Sequence, residues 1–376
     1  MRANAFKAWT TSEAGRKIDL EVKVHQALED TTPVFRFGVA IYNHIQRTLP
    51  YLQYIYYQAL EWLGVTSKAW KIPGGRRFQD LVHEFQPDVV LSTHDHLNHG
   101  FFDLARAACP DTPPSCITYC GELEGSYGFS RWWVNPAADL FIGAVEETCR
   151  AAERHGMDPR RIWRGGFLLY PPFYAERLSP DERSEVIRRE WDFDPNQFIL
   201  LTGTGANAAN NHIKLLRAIV VDRLQVQVLV LCGKSATTRQ RIEQFSSEHP
   251  DLPIRAIGYT TEMAKLMQCS NAVVARPGTG TTSEAIQSGC PILFNGIGGI
   301  MPQEVITVKY CQKHSVGNVF RNPKGFAQQL KSLIEVPISA DGMDQAQIQI
   351  RPDRSPTDIL AKVASLKPGR DILHST

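Results

Sequence analysis

The chain has 376 residues, of which 43% are hydrophobic and 21% are charged. This length accommodates two domains that each bury a core, and it excludes a peptide or a disulfide-stapled miniprotein. Lys and Arg number 41 against 39 Asp and Glu, a net charge of +2. No global field therefore attracts nucleic acid, and we expect no nucleic-acid partner.

Targeting and redox signals are few. No apolar run approaches the roughly 18 residues of a membrane-spanning helix, and residues 1–5 lack a signal-peptide pattern. The 8 cysteines include no CxxC pair, and several lie in apolar segments. This usage predicts reduced, buried thiols in a cytoplasmic protein.

Short apolar runs alternate with helical stretches of about ten to fifteen residues. The predicted strands cover residues 88–93, 116–119, 139–143, 198–202, 227–231, 272–275 and 291–294. Apolar strands separated by helices predict βαβ units and parallel sheets, so we expect an α/β fold.

The predicted organisation is an N-terminal domain, a linker, a second domain and a tail. These cover residues 1–175, 176–196, 197–340 and 341–376, with helices near 180–191 and 355–366.

The region 33–64 is rich in aromatic residues, including Tyr54 and Trp62. Two interpretations stay open: helices packed on the first domain, or aromatic side chains that face a membrane surface.

Loops after the strands of the second half are rich in glycine and threonine. They contribute Gly203, Gly205, Gly233, Gly278, Thr279, Gly280 and Thr281. Open parallel sheets bind ligands where their strands end, and a helix that starts there favours an anion. No Walker A loop and no GxGxxG fingerprint occurs, but together the loops predict a nucleotide-phosphate crevice.

Three polar residues near these loops could have a purely structural role instead of a role in ligand binding. Glu284 follows Thr281 at the spacing of a capping box, in which it would only satisfy backbone donors. Gln303 and Glu304 could form a solvated first helical turn.

The second half resembles the family 28 glycosyltransferases, particularly the monogalactosyldiacylglycerol synthases and diacylglycerol glucosyltransferases. The matching segments are LLTGTG at 200–205, VLCGK at 230–234, IGY at 257–259, RPGTGTTSEA at 276–285 and QE at 303–304. The resemblance implies the GT-B architecture, in which two Rossmann-like domains with parallel sheets face a cleft.

The resemblance also implies a UDP-sugar donor, either UDP-galactose or UDP-glucose, with no cofactor and no metal. The implied contacts are with the uracil (Gly258, Tyr259), the diphosphate (Gly278, Thr279, Gly280, Thr281), the ribose (Glu284) and the sugar (Gln303, Glu304).

On the acceptor side, His94 and His99 match a histidine-containing loop of the family, and either is a candidate base. The segment through Trp132 and Trp133 resembles its acceptor loop, although Glu122 and Glu124 lie near the place of the family's Asp. Trp132, Trp133, Tyr54 and Trp62 are therefore candidate contacts for a lipid acceptor or a membrane.

The family's first strand and its glycine-rich catalytic loop have no counterpart, because residue 1 corresponds to the helix after that loop. We expect the natural start to lie upstream, with the first N-terminal strand missing here.

The resulting hypothesis is hexose transfer to diacylglycerol, or a similar lipid, by a cytoplasmic protein peripherally bound to a membrane. One alternative is a non-catalytic UDP-sugar-binding protein of the same fold, and another is a lipid II-type N-acetylglucosaminyltransferase. A remote alternative is a zinc hydrolase that uses His94, His96 and His99, although Asn98 replaces the usual Asp of that motif.

Overall fold

A computed structural model describes residues 1–31, 64, 66–203, 211–335, 346, 347 and 349–366 of the chain. The chain forms two compact units. Unit 1 comprises Met1–Pro171, Met301–Ile306 and Pro352–Thr376, and unit 2 comprises Pro172–Ile300 and Thr307–Arg351.

Unit 1 contains a four-stranded parallel sheet of order β1-β2-β3-β4. Its strands are β1 (Val89–Ser92), β2 (Ser115–Cys120), β3 (Leu140–Gly143) and β4 (Ile162–Arg164). Its helices up to residue 171 are α1 (Arg2–Thr10), α2 (Glu13–Arg16), α3 (Ala27–Thr31), α4 (Gly75–Phe85), α5 (Gly100–Ala108) and α6 (Glu146–Arg154). All residues of β3 are buried, as the apolar run predicts.

Unit 2 contains a six-stranded parallel sheet of order β10-β9-β8-β5-β6-β7. Its strands are β5 (Phe198–Thr202), β6 (Val226–Gly233), β7 (Ile254–Gly258), β8 (Ala272–Ala275), β9 (Ile292–Asn295) and β10 (Gly317–Phe320). Its helices are α7 (Pro180–Trp191), α8 (His212–Val221), α9 (Ala236–Glu248), α10 (Met263–Cys269), α11 (Thr279–Ser288) and α13 (Pro323–Glu335). Leu200, Val228 and Val274 lie in its hydrophobic core with Phe326 of α13.

Two helices complete the chain. Helix α12 (Pro302–Lys313) begins in the stretch assigned to unit 1 and continues in unit 2. Helix α14 (Pro356–Ala364) returns to unit 1 and packs against α1. Trp9 of α1 donates from Nε1 to the Leu169 carbonyl at 2.6 Å, which fixes α1 to the end of the first chain segment.

The predicted α/β class with two parallel sheets is confirmed, and all seven predicted strands are present. Three further strands, β4, β7 and β10, were not predicted. All eight cysteines are free and buried, as their apolar contexts predicted. Within the described ranges, no helix combines the length and apolarity that crossing a bilayer requires.

Candidate functional site

The unit 2 sheet has a topological switch point between β5 and β8. From β5 the chain continues to β6 and β7 on one side, and β8 then pairs with the other side of β5. The Gly203 amide after β5 donates to the Val274 carbonyl of β8 at 2.8 Å, so the two strand ends are held together. Ligands of open parallel sheets bind at such points.

Helix α11 begins at this switch point, and no side chain at its N-cap position bonds to its first backbone donors. Its N-cap is Gly278, which has no side chain to accept them, and Thr279, Gly280 and Thr281 form the partly exposed first turn. The first N–H groups of a helix carry a partial positive charge, so this turn can bind an anion such as a diphosphate.

Arg276 joins the loops that follow β8 and β9. Its Nη1 donates to the carbonyl of Asn295 at 3.1 Å and to that of Gly299 at 2.9 Å. The guanidinium therefore orders both loops and adds a full positive charge three residues before the start of α11. Arg276 was not among the predicted site residues, although a basic residue directly after a buried strand was the available signal.

An exposed aromatic residue lies at the other side of the same sheet edge. Tyr259 follows β7 and is 69% exposed. The Lys234 Nζ lies 4.9 Å from the centroid of its ring, and the preceding residues Gly233 and Gly258 are register partners in β6 and β7. The pair offers a flat surface and a cation where the sequence predicted uracil binding.

The structure changes the interpretation of three predicted donor-site residues. Thr281 lies inside α11 and Gly278 is the N-cap, so the capping-box interpretation of Glu284 is wrong. Glu284 is only 7% exposed.

Glu304 is 5% exposed and accepts the Met301 amide at 2.9 Å, so Gln303 and Glu304 do not form a fully solvated turn. Both belong to the 301–306 stretch of unit 1.

Some predicted positions lie outside the described residues: Gly205 after β5, and Tyr54 and Trp62 of the aromatic region. Their roles stay predictions.

In unit 1, His94 and Asp95 form an ion pair directly after β1. His94 Nδ1 lies 2.8 Å from Asp95 Oδ1, and the side chains are 51% and 17% exposed. Burial disfavours the imidazolium, but the charge and hydrogen bond of Asp95 outweigh burial and raise the pKa of His94. A carboxylate that orients an exposed imidazole and stabilises the imidazolium formed when the ring takes up a proton is the arrangement of a general base.

Asn98 anchors the loop that carries His94. It is fully buried, and its Nδ2 donates to the carbonyls of Trp132 and Trp133 at 3.1 and 3.3 Å. Its Oδ1 accepts the Thr118 hydroxyl of β2 at 3.1 Å. This amide is therefore structural, which explains why Asn stands where the zinc motif has Asp.

The three histidines of this loop do not form a metal-binding group. No cluster of three His, Cys, Asp or Glu side chains suited to a metal occurs among the described residues. The His99 ring instead packs edge-on against Trp132, with centroids 5.3 Å apart, and burial lowers the pKa of His96 and His99. The geometry does not favour the zinc hydrolase alternative.

Glu122 is a half-buried residue beyond the end of β2, and its Oε2 atom is buried. Burial, followed by the charge of Asp95, raises its pKa to about 7, although Arg2 and His94 act in the opposite direction. No described group hydrogen-bonds to its buried Oε2 atom. Glu122 therefore ionises near neutral pH, and it interacts electrostatically with His94.

The two predicted tryptophans have different environments. Trp132 is half-buried, with the Arg131 guanidinium 4.6 Å from its ring centroid. Trp133 is 9% exposed and packs in the core with Phe102 and Phe141. Trp133 is thus a core residue, and among these two only Trp132 is available to an acceptor.

Family comparisons match both parts of the chain. Residues 3–167 match the monogalactosyldiacylglycerol (MGDG) synthase family. Residues 198–294 match the glycosyltransferase family 28 C-terminal domain. The predicted family resemblance is confirmed.

Individual relatives agree with these families. A probable chloroplastic monogalactosyldiacylglycerol synthase 2 from Oryza sativa subsp. japonica is 24% identical over 66% of this chain and 52% of its own length. A processive diacylglycerol β-glucosyltransferase from Bacillus pumilus is 22% identical over 77% of this chain and 72% of its own. The chain thus spans about half the length of the rice relative.

The fold also matches a solved structure. A UDP-glucosyltransferase from Polygonum tinctorium aligns with a TM-score of 0.55, over 78% of this chain and 79% of its own, at 11% identity. Identity this low supports the shared GT-B fold alone.

Proposed function

We propose that this chain, whose halves match the MGDG synthase family and the family 28 glycosyltransferase C-terminal domain, transfers a hexose from a UDP-sugar to diacylglycerol. The observation that carries the proposal is the glycine-capped N-terminus of α11, which lies at the switch point between β5 and β8. A nucleoside diphosphate is the ligand chemistry that this arrangement favours.

The donor would bind at the carboxyl edge of the unit 2 sheet. The first-turn amides of α11, with Thr279, Gly280 and Thr281, would hold the diphosphate, and Arg276 would add positive charge. As the glycosidic bond to the donor breaks, the leaving UDP gains negative charge, which these groups stabilise. They supply this charge without a metal, so we infer that transfer needs no divalent cation.

The acceptor would be activated in unit 1. A hydroxyl group attacks the sugar only as its proton is removed, and His94 is the described group best arranged to take it. Its Nδ1 is paired with Asp95, and its Nε2 makes no hydrogen bond within the described ranges. His99 is less suited because burial lowers its pKa.

The names of the relatives support a lipid acceptor, and they are compatible with either of two hexoses as the transferred sugar. The rice relative is named for a galactolipid and the Bacillus relative for glucosylation of diacylglycerol. We infer that the donor is UDP-galactose or UDP-glucose, and that the protein meets the acceptor while bound peripherally to a membrane.

The test is release of UDP from each donor, with diacylglycerol in micelles, in buffer with and without chelator. We expect release with one donor, dependent on diacylglycerol and unaffected by chelator. Loss of release on chelation would contradict metal independence.

Direct UDP binding, measured by calorimetry, separates the remaining outcomes. Binding without release on any acceptor would indicate a non-catalytic sugar-nucleotide-binding protein. Absence of UDP binding would contradict the donor site itself.

A further inference from the structure

Trp70 is the most exposed large hydrophobic side chain among the described residues, at 78%. It lies in a short 3-10 turn, Ala69–Lys71, ahead of α4. The Lys71 Nζ lies 5.6 Å from the centroid of the Trp70 ring. Tryptophan presents a large apolar surface with one polar N–H, and it is enriched where protein meets the lipid headgroup region.

The segment that contains Trp70 is rich in cationic residues. Residues 66–79 include no Asp or Glu. They include four cations: Lys68, Lys71, Arg76 and Arg77. Lys68, Arg76 and Arg77 are exposed, and none of the four forms an ion pair within the described part of the chain. The first acidic residue after Trp70 is Asp80, so residues 66–79 carry a charge of +4, which fits an anionic surface.

The turn is held rigidly on the body of unit 1. Ile72, two residues after Trp70, is 5% exposed and packs with Phe101 and Leu104 of α5. At Gly100 a Cβ atom would lie 2.6 Å from the Lys68 carbonyl carbon, so only glycine permits this approach. The Gly100 amide donates to the Thr66 carbonyl at 3.0 Å.

These same contacts place the turn beside the candidate acceptor loop. Gly100 directly follows His99, whose ring packs against Trp132. A Cβ atom on Gly64 would lie 2.7 Å from the Trp132 ring, so the chain that leads into the turn runs against Trp132. Trp70 and its cations are thus fixed next to the part of unit 1 to which we assign the acceptor.

We propose that the basic turn, defined as residues 66–77 with Trp70 at its tip, docks the protein on a bilayer that contains anionic lipids. Trp70 enters the headgroup region, while the four cations lie against lipid phosphates. The choice of a bilayer over another polyanion rests on the proposed function, because a lipid acceptor has to be reached at a membrane surface.

The test measures co-sedimentation of the full chain with phospholipid vesicles and needs no catalysis. One set is phosphatidylcholine alone, and in the other about one third of the lipid is phosphatidylglycerol. We expect binding to the anionic vesicles that weakens with added salt, and little binding to the neutral ones.

Two variants probe the two components. Arg76→Gln/Arg77→Gln should weaken binding to anionic vesicles by about fivefold for each charge removed. Trp70→Ala should weaken it by about tenfold while the salt dependence stays the same, because only an apolar contact is lost. Both sites are exposed, and an unchanged thermal midpoint would show that folding is intact.

Matched controls come from exposed positions elsewhere. Arg160→Gln/Arg161→Gln removes the same charge just before β4, at the opposite edge of the same sheet, and Val221→Ala shortens a side chain of unit 2 that is 77% exposed. Neither control should change vesicle binding. Equal losses in the controls and in the basic turn, or equal wild-type binding to neutral and anionic vesicles, would overturn the proposal.

Failure of this proposal is distinguishable from failure of the proposed function. Selective vesicle binding without UDP release would leave the docking surface in place and refute only the transfer reaction. UDP release in micelles without selective vesicle binding would refute only the docking surface.

Discussion

Replacement of Glu122 by Gln should make the protein more stable at alkaline pH and leave acid stability nearly unchanged. The folded protein holds the pKa of this carboxyl at about 7, against an ordinary value of 4.5. Between these values the folded state keeps a proton that the unfolded chain releases, so the free energy of unfolding falls as pH rises through this window. Below the window both states are protonated, and this loss is absent.

The magnitude follows from the size of the window. At 1.36 kcal/mol per pH unit, the interval from 4.5 to about 7 corresponds to a loss of about 3 kcal/mol once Glu122 is ionised. Gln keeps the shape of the side chain and cannot ionise. The free energy of unfolding of Glu122→Gln, measured relative to wild type, should therefore be about 3 kcal/mol higher at about pH 8 than at about pH 4.

The assay is urea unfolding of both proteins at these two pH values, followed by circular dichroism. Glu153→Gln, at an exposed position of α6, serves as the control for removal of one carboxylate. The groups that act on Glu122 are Asp95, Arg2 and His94. If the difference between Glu122→Gln and wild type were the same at both pH values, the assignment of a raised pKa would be refuted.

Three further changes test the candidate site. Asp95→Asn should lower the transfer rate about 100-fold, because His94 loses the charge that raises its pKa, while UDP affinity stays unchanged by calorimetry; weaker UDP binding would contradict this division of roles. Arg276→Leu should weaken UDP binding about tenfold, whereas Arg160→Leu should not, and equal affinities would remove Arg276 from the donor site. Asn98→Asp completes the zinc pattern but loses two amide donors, so we expect a loss of about 2 kcal/mol in urea unfolding and no stoichiometric zinc by elemental analysis.

The strands that sequence reasoning missed are all at the edges of sheets. β4, β7 and β10 each pair on one side only, whereas every central strand was predicted. Central strands are buried on both faces and read as continuous apolar runs, as β8 does. β4 reads Ile-Trp-Arg and β7 contains Arg255, so their polar residues interrupt the pattern that identifies a strand.

The donor edge could be predicted from sequence because it depends on local features, namely strand ends, glycines and a helix start. The acceptor side depends on which way side chains point in short 3-10 turns, and no periodicity specifies this. Trp132 and Trp133 are adjacent, yet one contacts His99 and the other enters the core. Similarly, Asn98 is a structural residue only because β2 and the Trp132–Trp133 backbone meet it in three dimensions.

Because every cysteine is buried, the protein surface carries no native thiol that is accessible to thiol reagents. Thiol reagents attack the thiolate, and burial raises the pKa of Cys116, Cys149 and Cys311 to about 12. The folded chain should therefore resist maleimide and nitroxide labels without removal of its native cysteines. A single cysteine placed in the basic turn, as in Trp70→Cys, would take up a fluorescent or spin probe selectively and report its depth in a bilayer directly.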